Sequence, residues 1–335
     1  MRRITITAPG GLENLTLGEA PEPPAPGPGE IRVRLRGSSL NYHDLLVATR
    51  PNGAADGRIP MSDGAGEVEA VGEGVTEFAP GDTVVSCFFP DWQDGGNVPS
   101  DFARVPGDGI DGYAREAATL PATWFTRAPA GWSAAEAATI TTAGLTAWRA
   151  LAVNGGLKAG EVVLALGSGG VSIYALQIAR AMGATVIATT SSEAKAERLR
   201  ALGAAEVINY RETPDWGMRV RALTGGRGAD HVIEVGGAGT LAQSIAAAKV
   251  AGHISLIGVL TGRAGEIPTG LLMARQQRLQ GLIVGSRRHQ QDFVAALEAT
   301  GIRPAIDAVY PLEGLAEAFA HQQAGRHFGK ICLEF

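Results

Sequence analysis

The stretch Leu164–Ser192, LALGSGGVSIYALQIARAMGATVIATTSS, decides the fold. The apolar run Val162–Leu166 reads as a short buried strand and enters Gly167-Ser168-Gly169-Gly170-Val171-Ser172. Beyond it Val171, Ala175, Ile178, Ala179 and Met182 fall on one helical face, and TVIATT reads as a second strand. Strand, glycine turn, helix, strand is the pattern of a dinucleotide-binding βαβ unit. Gly167 would permit the tight turn, Gly169 the approach of backbone to a pyrophosphate, and the small Ser172 close packing of helix on strand. The pyrophosphate would rest on free N–H groups at the helix start, with Gly167, Ser168, Gly169, Gly170 and Val171 around it.

The end of the second strand carries the cofactor preference. NAD sites usually place an acid there for the ribose 2′-hydroxyl, whereas TVIATTSSEAK has Thr190 and Ser191, with Lys195 a turn later. Hydroxyl donors and a lysine suit a 2′-phosphate that an acid would repel. NADP(H) is therefore expected, with NAD(H) possible. The other reading makes Ser191 and Ser192 a helix N-cap pair, and Glu193 and Lys195 a solvated face.

Working outward, the chain after TRAPAGWSAAEAATITTAGLTAWRALA alternates strands such as AEVINY, DHVIEVGG and HISLIGVL with helical stretches. That alternation predicts an α/β fold with a doubly wound parallel sheet. From Arg2 to about Pro129 the signals are short β runs: RRITIT, EIRVRLRGSSL, GEVEAVGEGV and GDTVVSCFF. The connector Ala20–Glu30 has five prolines and two glycines, so it should be extended. The chain end carries two amphipathic helices around a strand-like Val309–Leu312 and a final short strand. The expected division is 1–129 for the β-rich lobe, 130–285 for the nucleotide lobe, and 286–335 returning to the first.

Composition narrows the partners. A chain of 335 residues exceeds the usual size of one core, and 45% apolar with 19% charged residues suits a compact α/β protein. A net charge of −5 without a Lys/Arg stripe argues against nucleic acid. No run of about 18 apolar residues suggests a membrane span, and MRRITITAPGGLENL has no apolar core behind its basic residues, so a cytoplasmic protein is expected. Cys87 and Cys332 are too few for a disulfide framework or a four-thiolate zinc site, and reduced thiols are the simpler reading.

Taken together, SLNYHDLL, DGAGEVEAVGEGVTEFAPGDTVV, TAGLTAW, LKAGEVVLALGSGGVS, LRALGAAEVINY and GRHFGKICLEF resemble the medium-chain dehydrogenase/reductase superfamily. Within it they resemble the zinc-free quinone reductase and alcohol dehydrogenase-like branch. The resemblance implies a GroES-like substrate lobe, a Rossmann lobe, a cleft between them, and a homodimer through the Rossmann lobes. Zinc members carry a catalytic Cys where this chain has Asn41, and GHE where it has Met61-Ser62-Asp63. No metal is therefore expected, since the soft donors are gone.

The same resemblance puts Asn41, Tyr42, His43 and Asp44 at the cleft. His43 falls where zinc members relay protons through Ser or Thr, and the Tyr42 hydroxyl is an alternative donor. The competing reading has Asn41 and Asp44 fixing a loop and Tyr42 packing. Thr142, Gly236, Ile257, Val259 and the Val284–Ser286 segment, with Val284 and Ser286 as its named residues, look like nicotinamide and ribose contacts, or else sheet-edge packing. Tyr210 resembles a tyrosine over the 2′-phosphate or adenine, and Arg326 and Lys330 are weaker phosphate candidates. The implied activity is hydride transfer between NADPH and a small apolar quinone, enone, aldehyde or alcohol beneath the aromatic loop Phe88–Trp92. An NADPH-binding sensor or structural protein without turnover is the alternative from another class.

Overall fold

A computed structural model describes residues 1–96 and 102–335. Two compact units emerge, one of Met1–Leu145 with Val284–Phe335, the other of Thr146–Ile283. Among the described residues no helix is long and apolar enough to cross a membrane.

The first unit is built on β strands. β1 (Arg2–Ile6) and β2 (Leu15–Glu19) form an antiparallel pair. The larger sheet uses β3 (Glu30–Ser39), β4 (Ala65–Val71), β5 (Thr83–Ser86), β6 (Ala117–Pro121) and β7 (Phe125–Arg127). β3 alternates along its length: Ile31, Val33 and Leu35 are fully buried while Arg32 and Arg34 point outward to Glu69 at 3.0 and 2.8 Å. That is the period-two pattern of a strand with one face on a core. The Pro-rich connector has no regular structure, as its missing donors require.

The second unit is one sheet of six parallel strands: β8 (Val162–Leu166), β9 (Thr185–Thr190), β10 (Glu206–Asn209), β11 (Ala229–Glu234), β12 (Ala248–Leu256) and β13 (Arg278–Gly281). Their spatial order is β10-β9-β8-β11-β12-β13. Counted from β8 this is 3-2-1-4-5-6, the doubly wound Rossmann order, with its reversal between β8 and β11. β8 and β11 are buried at every position, as strands covered on both faces must be.

The chain then returns to the first unit. β14 (Ile306–Pro311) lies parallel to β15 (Lys330–Glu334), and β15 pairs antiparallel with β3 through Cys332↔Ser39, Leu333↔Ser38 and Glu334↔Gly37. Residues 130–145, which the sequence pattern groups with the nucleotide lobe, belong to the first unit. A Cβ at Gly37 would lie 2.8 Å from the backbone of Ala134 and Ala135, so the short helix Ala134–Ala138 sits directly on β3.

Candidate cofactor and active site

In the second unit the carboxyl ends of the strands gather most of the expected cofactor residues. Gly167 has φ +77°, a left-handed turn that a side chain resists, and its N–H donates to the Thr189 carbonyl at 3.0 Å. Gly169, by contrast, has an ordinary φ of −80° and caps the helix Gly170–Ala181. A Cβ built on Gly169 meets nothing within 4 Å, so open space lies over the helix start. The first intrahelical bond there is Ile173 N–H to the Gly169 carbonyl at 3.0 Å, which leaves the earlier N–H groups, of Gly170, Val171 and Ser172, without helical acceptors. Buried Ser172 donates to the Leu166 carbonyl at 2.6 Å and clamps helix to strand. These residues fit a pyrophosphate: donors, the helix dipole and room without a side chain converge.

Thr190 ends β9, Ser191 follows it, and the Tyr210 N–H donates to the Thr190 carbonyl at 3.0 Å, which brings the three together. Tyr210 is exposed. The Thr190 hydroxyl is buried and accepts from the Ser192 N–H at 3.3 Å, so it serves the turn. Ser192 caps the helix Glu193–Ala201 by accepting from the Lys195 N–H. Ser191 is not that cap and is half-buried. On the other side of the reversal, Gly236 follows β11, and Ile257 and Val259 follow β12. Buried Glu234 organises this shelf, accepting from Gly236 N at 2.7 Å, Gly237 N at 2.9 Å and the hydroxyls of Thr240 and Ser244. Thr261 joins the two loops by donating its hydroxyl to the Gly236 carbonyl at 2.8 Å.

Three further expected cofactor contacts lie outside this unit. Thr142, Val284 and Ser286 belong to the first unit. The Thr142 hydroxyl donates to Asp63 at 2.6 Å, and buried Ser286 caps the helix Arg287–Thr300 through a reciprocal pair with His289. Val284 is buried at φ +42°.

Asn41, Tyr42, His43 and Asp44 open the helix Tyr42–Thr49 of the first unit. Asn41 is its N-cap, and Asp44 Oδ2 accepts from the Asn41 N–H at 3.0 Å and from Nδ2 at 3.1 Å. Asp44 Oδ1 accepts from Ser62 N at 2.8 Å. Both residues are thus buried fasteners, the loop-fixing alternative, whereas Tyr42 is exposed. His43 stacks on Phe102 at 5.2 Å and meets the edge of Phe88 at 5.5 Å, with Nε2 3.4 Å from Asp108 Oδ2. Phe88, Phe89 and Trp92 are themselves buried and pack against one another, so this loop is core in the first unit.

Two family descriptions match the chain: "Alcohol dehydrogenase GroES-like domain" over residues 27–130 and "Zinc-binding dehydrogenase" over 170–300. A zinc-type alcohol dehydrogenase-like protein of Schizosaccharomyces pombe is 41% identical across 97% of this chain and 96% of its own. The chain belongs to the medium-chain dehydrogenase/reductase superfamily. It is an oxidoreductase of that superfamily. Among solved structures, an NAD-dependent alcohol dehydrogenase aligns with TM-score 0.89 and 35% identity, covering all of both chains. A mycobacterial protein complexed with NADPH aligns with TM-score 0.82 and 27% identity, again over both whole chains.

Membership makes the zinc question concrete, and the donors here do not fit that ion. Where zinc members of the superfamily carry thiolate and imidazole, this chain presents Asn41, Ser62 and Asp63. Asp63 is fully buried, and its oxygens accept from Ser39 Oγ at 2.5 Å and Thr142 Oγ1 at 2.6 Å. Beside it stands Lys330, which the sequence pattern left as a phosphate candidate. It is buried, donating to the Leu40 carbonyl at 2.5 Å and Asn41 Oδ1 at 2.6 Å, with Nζ 3.7 Å from Asp63 Oδ2. Burial pushes the Asp63 carboxyl up to about 6, against the pull of the Lys330 ammonium, while the Asp44 charge adds to the rise. Arg326 is exposed. Asp108 had no signal in sequence and Lys330 none for this role, because the partner of each lies far along the chain.

Proposed function

We propose that this oxidoreductase works without zinc, prefers NADP(H) and reduces a small apolar enone or quinone. The observation that carries the reading is the Asn41–Asp44–Asp63–Lys330 network: an ammonium and hydroxyl donors stand where a Lewis acid would need thiolate or imidazole. The cofactor preference rests on the end of β9, where Thr190 and Ser191 stand in place of the acid and Tyr210 pairs through its backbone with Thr190.

When bound, the nicotinamide supplies a hydride from C4; the chain's part is to bind, orient and steady charge. Gly170, Val171 and Ser172 would hold the pyrophosphate through their N–H groups, and Ser191, Lys195 and Tyr210 the 2′-phosphate. Conjugate reduction spreads the developing charge over a delocalised oxygen and asks little of an acid, which suits a site without a metal. His43 is the donor available to that oxygen from the first unit, its ring held by Phe88 and Phe102.

A second reading, reversible carbonyl reduction to an alcohol, is favoured by the His43–Asp108 approach, since that reaction must move a hydroxyl proton. An enal offering both C=C and C=O separates the two readings. With NADPH and the purified protein, the saturated aldehyde is expected; an allylic alcohol would refute conjugate reduction and make His43→Ala the next variant. The homodimer through the dinucleotide-binding unit is also proposed. β13 has one strand neighbour, and Met273 just before it is 75% exposed. A monomer in sedimentation velocity would refute it.

A further inference from the structure

We propose that Lys330 is the resident cation of the first unit's polar core, paired with buried Asp63 and fixing Asn41, whose amide meets Asp44, and so positioning the helix that carries His43. The proposal deepens the zinc-free reading above and rests on it.

The ammonium is held from three directions. β15 pairs with β3 at Cys332↔Ser39, and Leu40 N–H donates to the Ile331 carbonyl at 2.9 Å, so Lys330 is brought against the turn from β3 into the helix Tyr42–Thr49. There Nζ donates to the Leu40 carbonyl and to Asn41 Oδ1, leaving Asp63 Oδ2 as its third neighbour at 3.7 Å. A lysine this buried is rare unless paired. Its bond to Oδ1 also fixes the Asn41 amide, whose Nδ2 then faces Asp44 Oδ2 and the Ser39 carbonyl.

The acids need that charge. Asp44 and Asp63 are both buried, and their remaining partners are neutral donors: Ser62 N and Asn41 for one, Ser39 and Thr142 hydroxyls for the other. Neutral hydrogen bonds do not balance two buried carboxylates. The other groups near by are the Cys332 thiol, pushed up to about 12 by burial and so uncharged at neutral pH, and the carboxylates of Glu334 and Glu136. Lys330 is therefore the cation placed against Asp63 among the described residues, and it meets Asp44 only through the Asn41 amide.

The sign of the test follows from Asp63. Its native pKa of about 6 lies above the ordinary carboxylate value, so the native state holds a proton that the unfolded state loses, and stability falls as pH rises through that window. Without the ammonium the Asp63 pKa rises further, and the fall continues above pH 6. The experiment is urea unfolding of the full-length protein from pH 5 to 9, for wild type, Lys330→Met, Asp63→Asn and the double variant.

The Lys330→Met deficit in the folding constant should widen towards higher pH, at most tenfold per unit, and adding Asp63→Asn should remove the widening. A deficit that is equal at every pH and unchanged by Asp63→Asn would overturn the proposal and leave Lys330 as packing. If Lys330→Met does not fold at pH 8, recovery at pH 5 or in the double variant supports the proposal, and recovery in neither overturns it. Metal analysis of the wild type is read separately: stoichiometric zinc would refute the zinc-free reading, while the lysine is judged by the pH dependence alone.

Discussion

Gly167 and Gly169 lie two residues apart in the same turn, yet substituting them should have opposite consequences. Gly169 has φ −80°, and its added Cβ would enter open space, so a side chain there starts without backbone strain or a Cβ clash. Replacing a glycine N-cap with an apolar residue should cost roughly 1 kcal/mol or less. The branched side chain would, however, occupy the room through which a pyrophosphate reaches the N–H groups of Gly170 and Val171. Losing two charge-assisted hydrogen bonds of about 1.5 kcal/mol each raises Kd for NADPH by about 100-fold. Gly167→Ala also meets no atoms, but its φ of +77° makes the alanine cost roughly 1–2 kcal/mol of stability. NADPH fluorescence titration beside thermal unfolding separates the effects: Gly169→Val should lose binding with Tm lowered by about 1 °C or less, and Gly167→Ala should lose about 1–3 °C. Unchanged NADPH affinity in a folded Gly169→Val protein would refute the pyrophosphate assignment.

Lys195→Glu places a carboxylate in the first turn of the helix after β9 and should raise KM for NADPH by about tenfold or more while sparing NADH, from the loss of one charge-assisted contact and the added repulsion. Steady-state kinetics with both cofactors check it, and equal effects on the two would remove Lys195 from the 2′-phosphate site. The thiols of Cys87 and Cys332 are both pushed up to about 12 by burial, so the thiolate fraction at pH 8 is about one in ten thousand. An aromatic disulfide reagent should label neither in the native protein and both after unfolding; rapid native labelling would contradict their burial.

The glycine turn was readable because its requirements are local. A left-handed residue at Gly167, an uncovered backbone at Gly169 and a small Ser172 are met within one strand, one turn and one helix. The alternation of strands and helices likewise implied the parallel sheet, since parallel neighbours need long crossovers. Side chains with one hydroxyl or one carboxyl were harder to place, because their role depends on which partner they meet. The Thr142 hydroxyl, for one, bonds to Asp63, a partner distant in sequence that spacing does not show.

By itself, then, the sequence determined the dinucleotide-binding βαβ unit, the missing acid after β9 and the loss of thiolate and imidazole at Asn41 and Ser62, all carried by residue identity over short spans. Only the tertiary structure decided what stands in their place. Lys330 meets Asn41 and Asp63 because β15 returns to pair with β3, and such a pairing, made across almost the whole chain, leaves no trace in local periodicity.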